Sequence, residues 1–294
     1  MITRQAILYA ICLFILAGFS ACAAPNEIAP TPTPPPAAPM PAVNSAPSPV
    51  PTATPLDCLT GAGRVQADVV ATTRPQQEFI IYLPPCYEYF TERYPVLYLL
   101  HGQTYNEDQW LRIGAATTAD ELIHDGETAP FIMVFPDDRY WNAPAGAEFG
   151  ARLIYDLIPY VDAHYRTRAD RKYRALGGLS RGGGWTAKLG FDHPELFGAL
   201  GLHSPALFKD NAPYLESIIK NIPEKDQPKL WHDIGDADTE LGNSLLFEKM
   251  LTENNYLHNF HRFKGDHTEH YWSAHVELYL RWYARVWREY SAEQ

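Results

Sequence analysis

The sequence predicts an α/β domain, a doubly wound and mostly parallel sheet with helices on both faces. Three observations carry that prediction. Short continuous apolar runs such as VLYLL at Val96–Leu100 and FIMVF at Phe131–Phe135 suit parallel strands covered on both sides, because neither face has to be polar. These runs alternate with stretches of helical apolar spacing, and repeated strand-helix units build a parallel sheet. Between one run and one helical stretch stands a glycine-rich turn, KYRALGGLSRGGGW at Lys172–Trp185, with a serine at its centre.

The chain does not begin as a fold. Arg4 gives a positive start, Ala6–Phe19 an apolar core, and Phe19-Ser20-Ala21-Cys22 reads as a lipobox. Residues 1–22 are therefore expected to be a lipoprotein-type signal peptide with Cys22 the lipidated residue. Phe19 departs from the leucine usual there, so an ordinary cleaved signal or a short uncleaved anchor are the alternatives. Each would put the remainder outside the cytoplasm. Residues 23–55 hold nearly half of the prolines and almost no large apolar side chains, the composition of an extended, semi-rigid tether.

Residues 56–294 have the composition of one globular domain with one sizeable core. Its expected strands are Val65–Ala71, Glu78–Leu83, Val96–His101, Phe131–Pro136, Tyr173–Leu176, Ala199–His203, Lys229–Ile234 and Asn259–Phe263. Several of them are continuous apolar runs. The helical patterns are Thr118–His124, Phe149–Tyr165, Trp185–Phe191, Tyr214–Lys220, Glu240–Asn254 and an amphipathic stretch at Trp272–Tyr290. Cys12 leaves with the expected signal and Cys22 is the candidate lipid site, so Cys58 and Cys86 remain as a pair and are expected to form a disulfide. The balance of 35 Asp+Glu against 24 Lys+Arg, with no basic cluster, argues against nucleic acid as a partner.

The serine turn carries the chemistry. Gly178-Leu179-Ser180-Arg181-Gly182 fits the G-x-S-x-G nucleophile elbow, where the serine stands on a strained strand-to-helix turn and the flanking glycines let strand and helix pass closely. The pentapeptide arises by chance in about one chain in ten of this length, so its position between strand and helix is what gives it weight. The helix beginning at Arg181 aims its free amides and positive dipole end at whatever sits over Ser180.

A serine nucleophile needs a base, and the base an orienting carboxylate. Two later loops offer them. Gly235-Asp236-Ala237-Asp238-Thr239-Glu240 follows a strand, with Asp238 the first choice for the acid and Asp236 the second; Asp236 is better read as a helix cap and Glu240 as opening the next helix. Lys264-Gly265-Asp266-His267-Thr268-Glu269-His270 follows the last strand, with His267 the chosen base and His270 its rival. His232, His258 and His261 fall in or beside strands and His275 on the last helix, where packing or solvation is the simpler reading. The grouping of Asp266, His267, Glu269 and His270 has no recognised metal-ligand spacing. At the end of the strand Val96–Leu100, His101-Gly102-Gln103-Thr104 is a turn that can supply a second amide to an oxyanion. Gln103 and Arg181 would donate through their backbones, with His101 as structural support.

YPVLYLLHG at Tyr94–Gly102, RALGGLSRGG at Arg174–Gly183, GDAD at Gly235–Asp238 and GDHTEHYW at Gly265–Trp272 together resemble the esterase D and feruloyl esterase-type branch of the α/β-hydrolases, over essentially all of residues 56–294. The resemblance implies an α/β-hydrolase fold, a Ser-Asp-His triad carried by Ser180, Asp238 and His267, and no cofactor. Gln103 and Thr104 stand where that family usually has small residues. It implies a serine esterase acting on carboxylic esters of the feruloyl or acetyl type, on a small molecule or on polysaccharide. A mycolyl-transferase-like acyltransferase, a siderophore esterase or a binding lipoprotein with an idle site are the alternatives. Tyr140 and Trp141, in the loop Asp137–Gly150, could stack on a substrate ring, and the insertion Ser204–Gln227 is expected to line the far side of the pocket.

Overall fold

The structure, a computed structural model, describes residues 57–139, 148–207 and 212–293. The expected signal and tether segments, Cys22 among them, and the candidate substrate residues Tyr140 and Trp141 lie outside the described residues. Within them, eight strands form one sheet: β1 (Arg64–Val70), β2 (Gln77–Leu83), β3 (Val96–Leu100), β4 (Ile132–Pro136), β5 (Arg174–Leu179), β6 (Ala199–His203), β7 (Lys229–Gly235) and β8 (His258–Phe263). Their order is β1-β2-β4-β3-β5-β6-β7-β8. The β1–β2 and β2–β4 pairings are antiparallel, and every pairing from β4 to β8 is parallel. This is the doubly wound α/β sheet expected from the alternating runs.

The helices are α1 (Gln109–Arg112), α2 (Ala115–His124), α3 (Phe149–Arg152), α4 (Ile158–His164), α5 (Arg181–Asp192), α6 (Ala212–Asn221), α7 (Leu241–Glu253) and α8 (Glu269–Ala292). Alternate residues of the apolar strands explain how both faces are covered. In β3, Val96, Tyr98 and Leu100 enter the core shared with α3 to α7, whereas Leu97 and Leu99 enter the core shared with α1, α2 and α8. All five are buried, so a polar substitution anywhere in this strand leaves an unpaired group in a dry interior.

The sheet order reverses at β3. From β3 the chain crosses to β4 on one side, and from β5 it crosses to β6 on the other, which opens a crevice beyond the carboxyl ends of β3 and β5. The turn His101–Thr104 and Ser180 stand at those two ends. Cys58 and Cys86 are joined by a disulfide across 28 positions, which ties the start of the domain to the loop after β2. A closed loop of that length stabilises by about 3.5 kcal/mol through the unfolded chain.

Several boundaries differ from the sequence reading. β5 runs three residues further, because Gly177 and Gly178 stay extended and pair with β6. The stretch Phe149–Tyr165 is not one helix: a π-helical turn at Leu153–Leu157 separates α3 from α4. Pro159 sits in the first turn of α4 and has no N–H to donate backwards, so the ladder must shift there. α1 was not anticipated; a single helical turn is too short for periodicity to show.

Candidate active site

Ser180 occupies the turn between β5 and α5 with φ 52° and ψ −120°, a conformation that costs a residue with a Cβ on the order of 1–3 kcal/mol. It persists because hydrogen bonds hold it from both sides. Its N–H donates to the His203 carbonyl (3.0 Å), and its carbonyl accepts from Gly184 N–H (3.1 Å) and Ala206 N–H (2.9 Å). The flanking glycines are required by distance as well as by motif. A Cβ on Gly178 would lie 2.3 Å from the Gly182 carbonyl carbon, and one on Gly182 would lie 2.2 Å from the Leu100 oxygen.

His267 meets Ser180 from the loop between β8 and α8. Its Nε2 lies 2.8 Å from Ser180 Oγ, and its Nδ1 lies 3.0 and 2.9 Å from the two carboxylate oxygens of Asp238. An ionised carboxylate can only accept, so Nδ1 carries the proton and Nε2 is left as the acceptor for the serine hydroxyl. Trp272 packs nearly perpendicular to the imidazole (ring centroids 5.1 Å, interplanar angle 83°). The Asp238 carboxylate is fully enclosed and also accepts from Glu240 N–H (2.7 Å). Gly265 makes the loop possible: its φ is 143°, and its carbonyl accepts from Ala237 N–H (2.8 Å), which binds the histidine loop to the aspartate loop.

The other candidates fall elsewhere. Asp236 does not cap a helix; its Oδ1 accepts from Gly265 N–H (2.9 Å) and so braces the loop that carries His267. Glu240 is the residue before α7, as expected. His270 is exposed on the first turn of α8. His261 packs on Trp231, His275 on Phe263, and His232 is enclosed between Phe247 and Phe260. No group of three or more His, Cys, Asp or Glu among the described residues is arranged to hold a metal ion.

The turn after β3 faces Ser180. Thr104 adopts φ 71°, Tyr105 N–H closes the turn onto the Gly102 carbonyl (3.3 Å), and Gln103 borders the same cavity as Ser180. That cavity, about 220 Å³, is lined by Gly102, Gln103, Tyr105, Ser180, His267 and Trp272 among others. Arg181 opens α5, so its amide belongs to the first-turn group with no acceptor inside the helix. His101 is buried; its Nε2 accepts from Asp138 N–H (2.7 Å). Asp138 in turn accepts from Arg181 Nε (3.0 Å) and Trp185 Nε1 (2.9 Å). Burial pushes the Asp138 carboxyl above the usual carboxylate range, against the pull of Arg181 and Trp185. The Ser204–Gln227 insertion does not border this cavity among the described residues; Leu215, Ile219 and Ile222 of that stretch turn into the core instead. Tyr105 and Glu269 adjoin the two loops singled out in the sequence without being assigned to the cavity, and the support of Arg181 and Trp185 by Asp138 had no signal because those contacts span 43 and 47 positions.

The sequence and the fold are similar to those of known proteins. A family model described as putative esterase matches residues 71–283. Over 121 residues the chain is 42% identical to a protein of Xylanibacter ruminicola named endo-1,4-beta-xylanase/feruloyl esterase, a match that covers 38% of this chain and 17% of that one. A solved ferulic acid esterase superposes with a TM-score of 0.69 at 24% identity, over 77% of this chain and 100% of the other. The S-formylglutathione hydrolase FrmB of Staphylococcus aureus superposes with a TM-score of 0.64 at 18% identity, over 76% of this chain and 98% of its own. Those superpositions show the α/β-hydrolase fold.

Proposed function

The chain belongs to the putative esterase family; from that premise we propose that it is a carboxylic ester hydrolase that cleaves its ester through Ser180, His267 and Asp238 acting as a triad. The observation that carries the reading is the unbroken line of contacts from Asp238 through both ring nitrogens of His267 to Ser180 Oγ. Ser180 Oγ attacks the ester carbonyl as His267 Nε2 takes its proton. His267 then returns that proton to the departing alcohol. In the second half a water, deprotonated by the same nitrogen, releases the acid and restores Ser180. Asp238 holds the tautomer that this requires and stabilises the imidazolium. The amides of Arg181 and Gln103 face the oxygen on which negative charge develops.

The substrate we propose is an ester of a hydroxycinnamic or acetic acid, on a small alcohol or on polysaccharide. Tyr105 and Trp272 give the cavity beside Ser180 aromatic walls, and the Xylanibacter ruminicola relative carries feruloyl esterase in its name. Tyr140 and Trp141 belong to the same proposal as stacking residues. The purified full-length chain should hydrolyse 4-nitrophenyl acetate and methyl ferulate, and Ser180→Ala should lower kcat by on the order of 10⁴-fold or more while the far-ultraviolet circular dichroism stays unchanged. Turnover that survives the substitution would remove the serine mechanism.

We also propose that the domain is exported and held at a membrane by lipid on Cys22, with residues 23–55 as the tether. The motif at Phe19–Cys22 and a disulfide between Cys58 and Cys86 support this, since disulfides persist in oxidising compartments. Cys22→Ala should move the protein from the membrane fraction to the soluble one; an unchanged distribution would count against lipid anchoring.

A further inference from the structure

The turn after β3 and the loop after β8 are separated in the sheet by β5, β6 and β7, yet one side chain joins them. Gln109, fully buried at the start of α1, accepts from Gly102 N–H through Oε1 (2.8 Å) and donates through Nε2 to Glu269 Oε1 (3.1 Å). Gly102 immediately precedes Gln103, and Glu269 lies two residues after His267 as the first residue of α8. The contact crosses 160 positions of sequence. Arg112, three residues on from Gln109, donates to the same Glu269 oxygen (2.8 Å) and fixes the far end. α1 is itself anchored, because the buried Trp110 donates from Nε1 to the Leu100 carbonyl (3.0 Å) at the end of β3.

The bridge needs an acceptor for an amide and a donor for a carboxylate at a fixed separation within one enclosed side chain. A carboxamide offers both. One end meets the Gly102 backbone amide beside Gln103, and the other meets the Glu269 carboxylate at the end of the loop that carries His267. The tetrahedral intermediate requires an amide within about 3 Å of its oxygen while Nε2 of the base stays in reach of the serine and the leaving oxygen. Loops that could drift independently by about 1 Å would lose on the order of 100-fold in rate.

We propose that Gln109 is a positioning residue that holds the Gln103 amide and His267 at the separation the tetrahedral intermediate needs. The inference rests on the triad reading above, and its test separates the two. In the full-length chain, Gln109→Met keeps length and bulk but removes both hydrogen bonds, Glu269→Ala removes the outer anchor at a partly exposed position, and the double variant combines them. For 4-nitrophenyl acetate, each single variant should lower kcat by about 10- to 100-fold with KM within about threefold. An aryl boronic acid that forms a tetrahedral adduct on Ser180 should lose affinity by a similar factor. The double variant should be no slower than the slower single, because both act through one bridge.

A folded Gln109→Met with kcat within about twofold of wild type would overturn the proposal, as would losses that multiply in the double variant. Should Gln109→Met fail to fold, Glu269→Ala decides alone: a fall of about tenfold in kcat at an unchanged melting temperature supports the bridge, and an undiminished kcat refutes it. Wild-type turnover independent of Ser180 would remove the triad reading itself, and this inference with it.

Discussion

Asp238 reaches His267 Nδ1 with both carboxylate oxygens, whereas Asp236, two residues earlier, holds a backbone amide of the histidine loop. The sequence places both aspartates on one loop after one strand, and only side-chain direction separates their roles. Asp238→Asn would keep the shape but present an N–H to the ring, favouring the tautomer whose Nε2 cannot accept the serine proton. The expected loss in kcat is on the order of 10³–10⁴-fold with little change in melting temperature, read by steady-state kinetics and calorimetry. Asp236→Asn keeps an acceptor for Gly265 N–H and should cost no more than about tenfold. Equal losses at the two positions would contradict these roles. His267 was legible because it is the first histidine after a strand in a glycine-containing loop. The bridge between Gln109 and Glu269 was not, because the two residues stand 160 positions apart.

The elbow shows what an element demands of its residues. Strand β5 and helix α5 approach so closely that Gly178 faces the backbone of Gly182, and Gly182 faces the end of β3. Gly178→Ala would place a methyl where backbone already stands, so the strand and helix must separate. A destabilisation of about 2–4 kcal/mol is expected by urea denaturation, together with loss of activity as Ser180 shifts from His267. Stability within about 0.5 kcal/mol of wild type would show that the elbow can relax. Strands were legible where apolar runs are continuous, as in β3 and β4. The end of β5 was harder to see, because glycines that permit the close approach also resemble a turn. The π-helical turn was hidden because apolar spacing through Phe149–His164 continues past the shift at Pro159.

Across the whole molecule, the parallel order of the sheet could be read from its apolar runs and from the absence of polar alternation. The position of β3 at the reversal point could not, because strand neighbours are set by long-range packing. Burial in β7, the strand beside the edge strand β8, has a consequence for pH. His232, with no hydrogen-bond partner for either ring nitrogen among the described residues, is pushed by burial down to about 3, against the pull of the neighbouring Asp233. In the unfolded chain an ordinary histidine takes its proton near pH 6.5. The neutral ring thus contributes stability that is fully present above about pH 6.5 and falls by about 1.4 kcal/mol per pH unit on acidification toward 3. His232→Leu should flatten the dependence of the unfolding free energy on pH between 6.5 and 4. An unchanged slope would place the acid sensitivity elsewhere.

The reaction assigned to this fold depends on one covalent event. Treatment of the full-length chain with an alkyl fluorophosphonate, followed by peptide mass mapping, reads that event directly. One adduct per chain on the peptide containing Ser180, formed in step with loss of ester hydrolysis and absent in Ser180→Ala, is the expected result. An adduct at another residue, or hydrolysis that continues when Ser180 is fully modified, would contradict the assignment of Ser180 as the nucleophile.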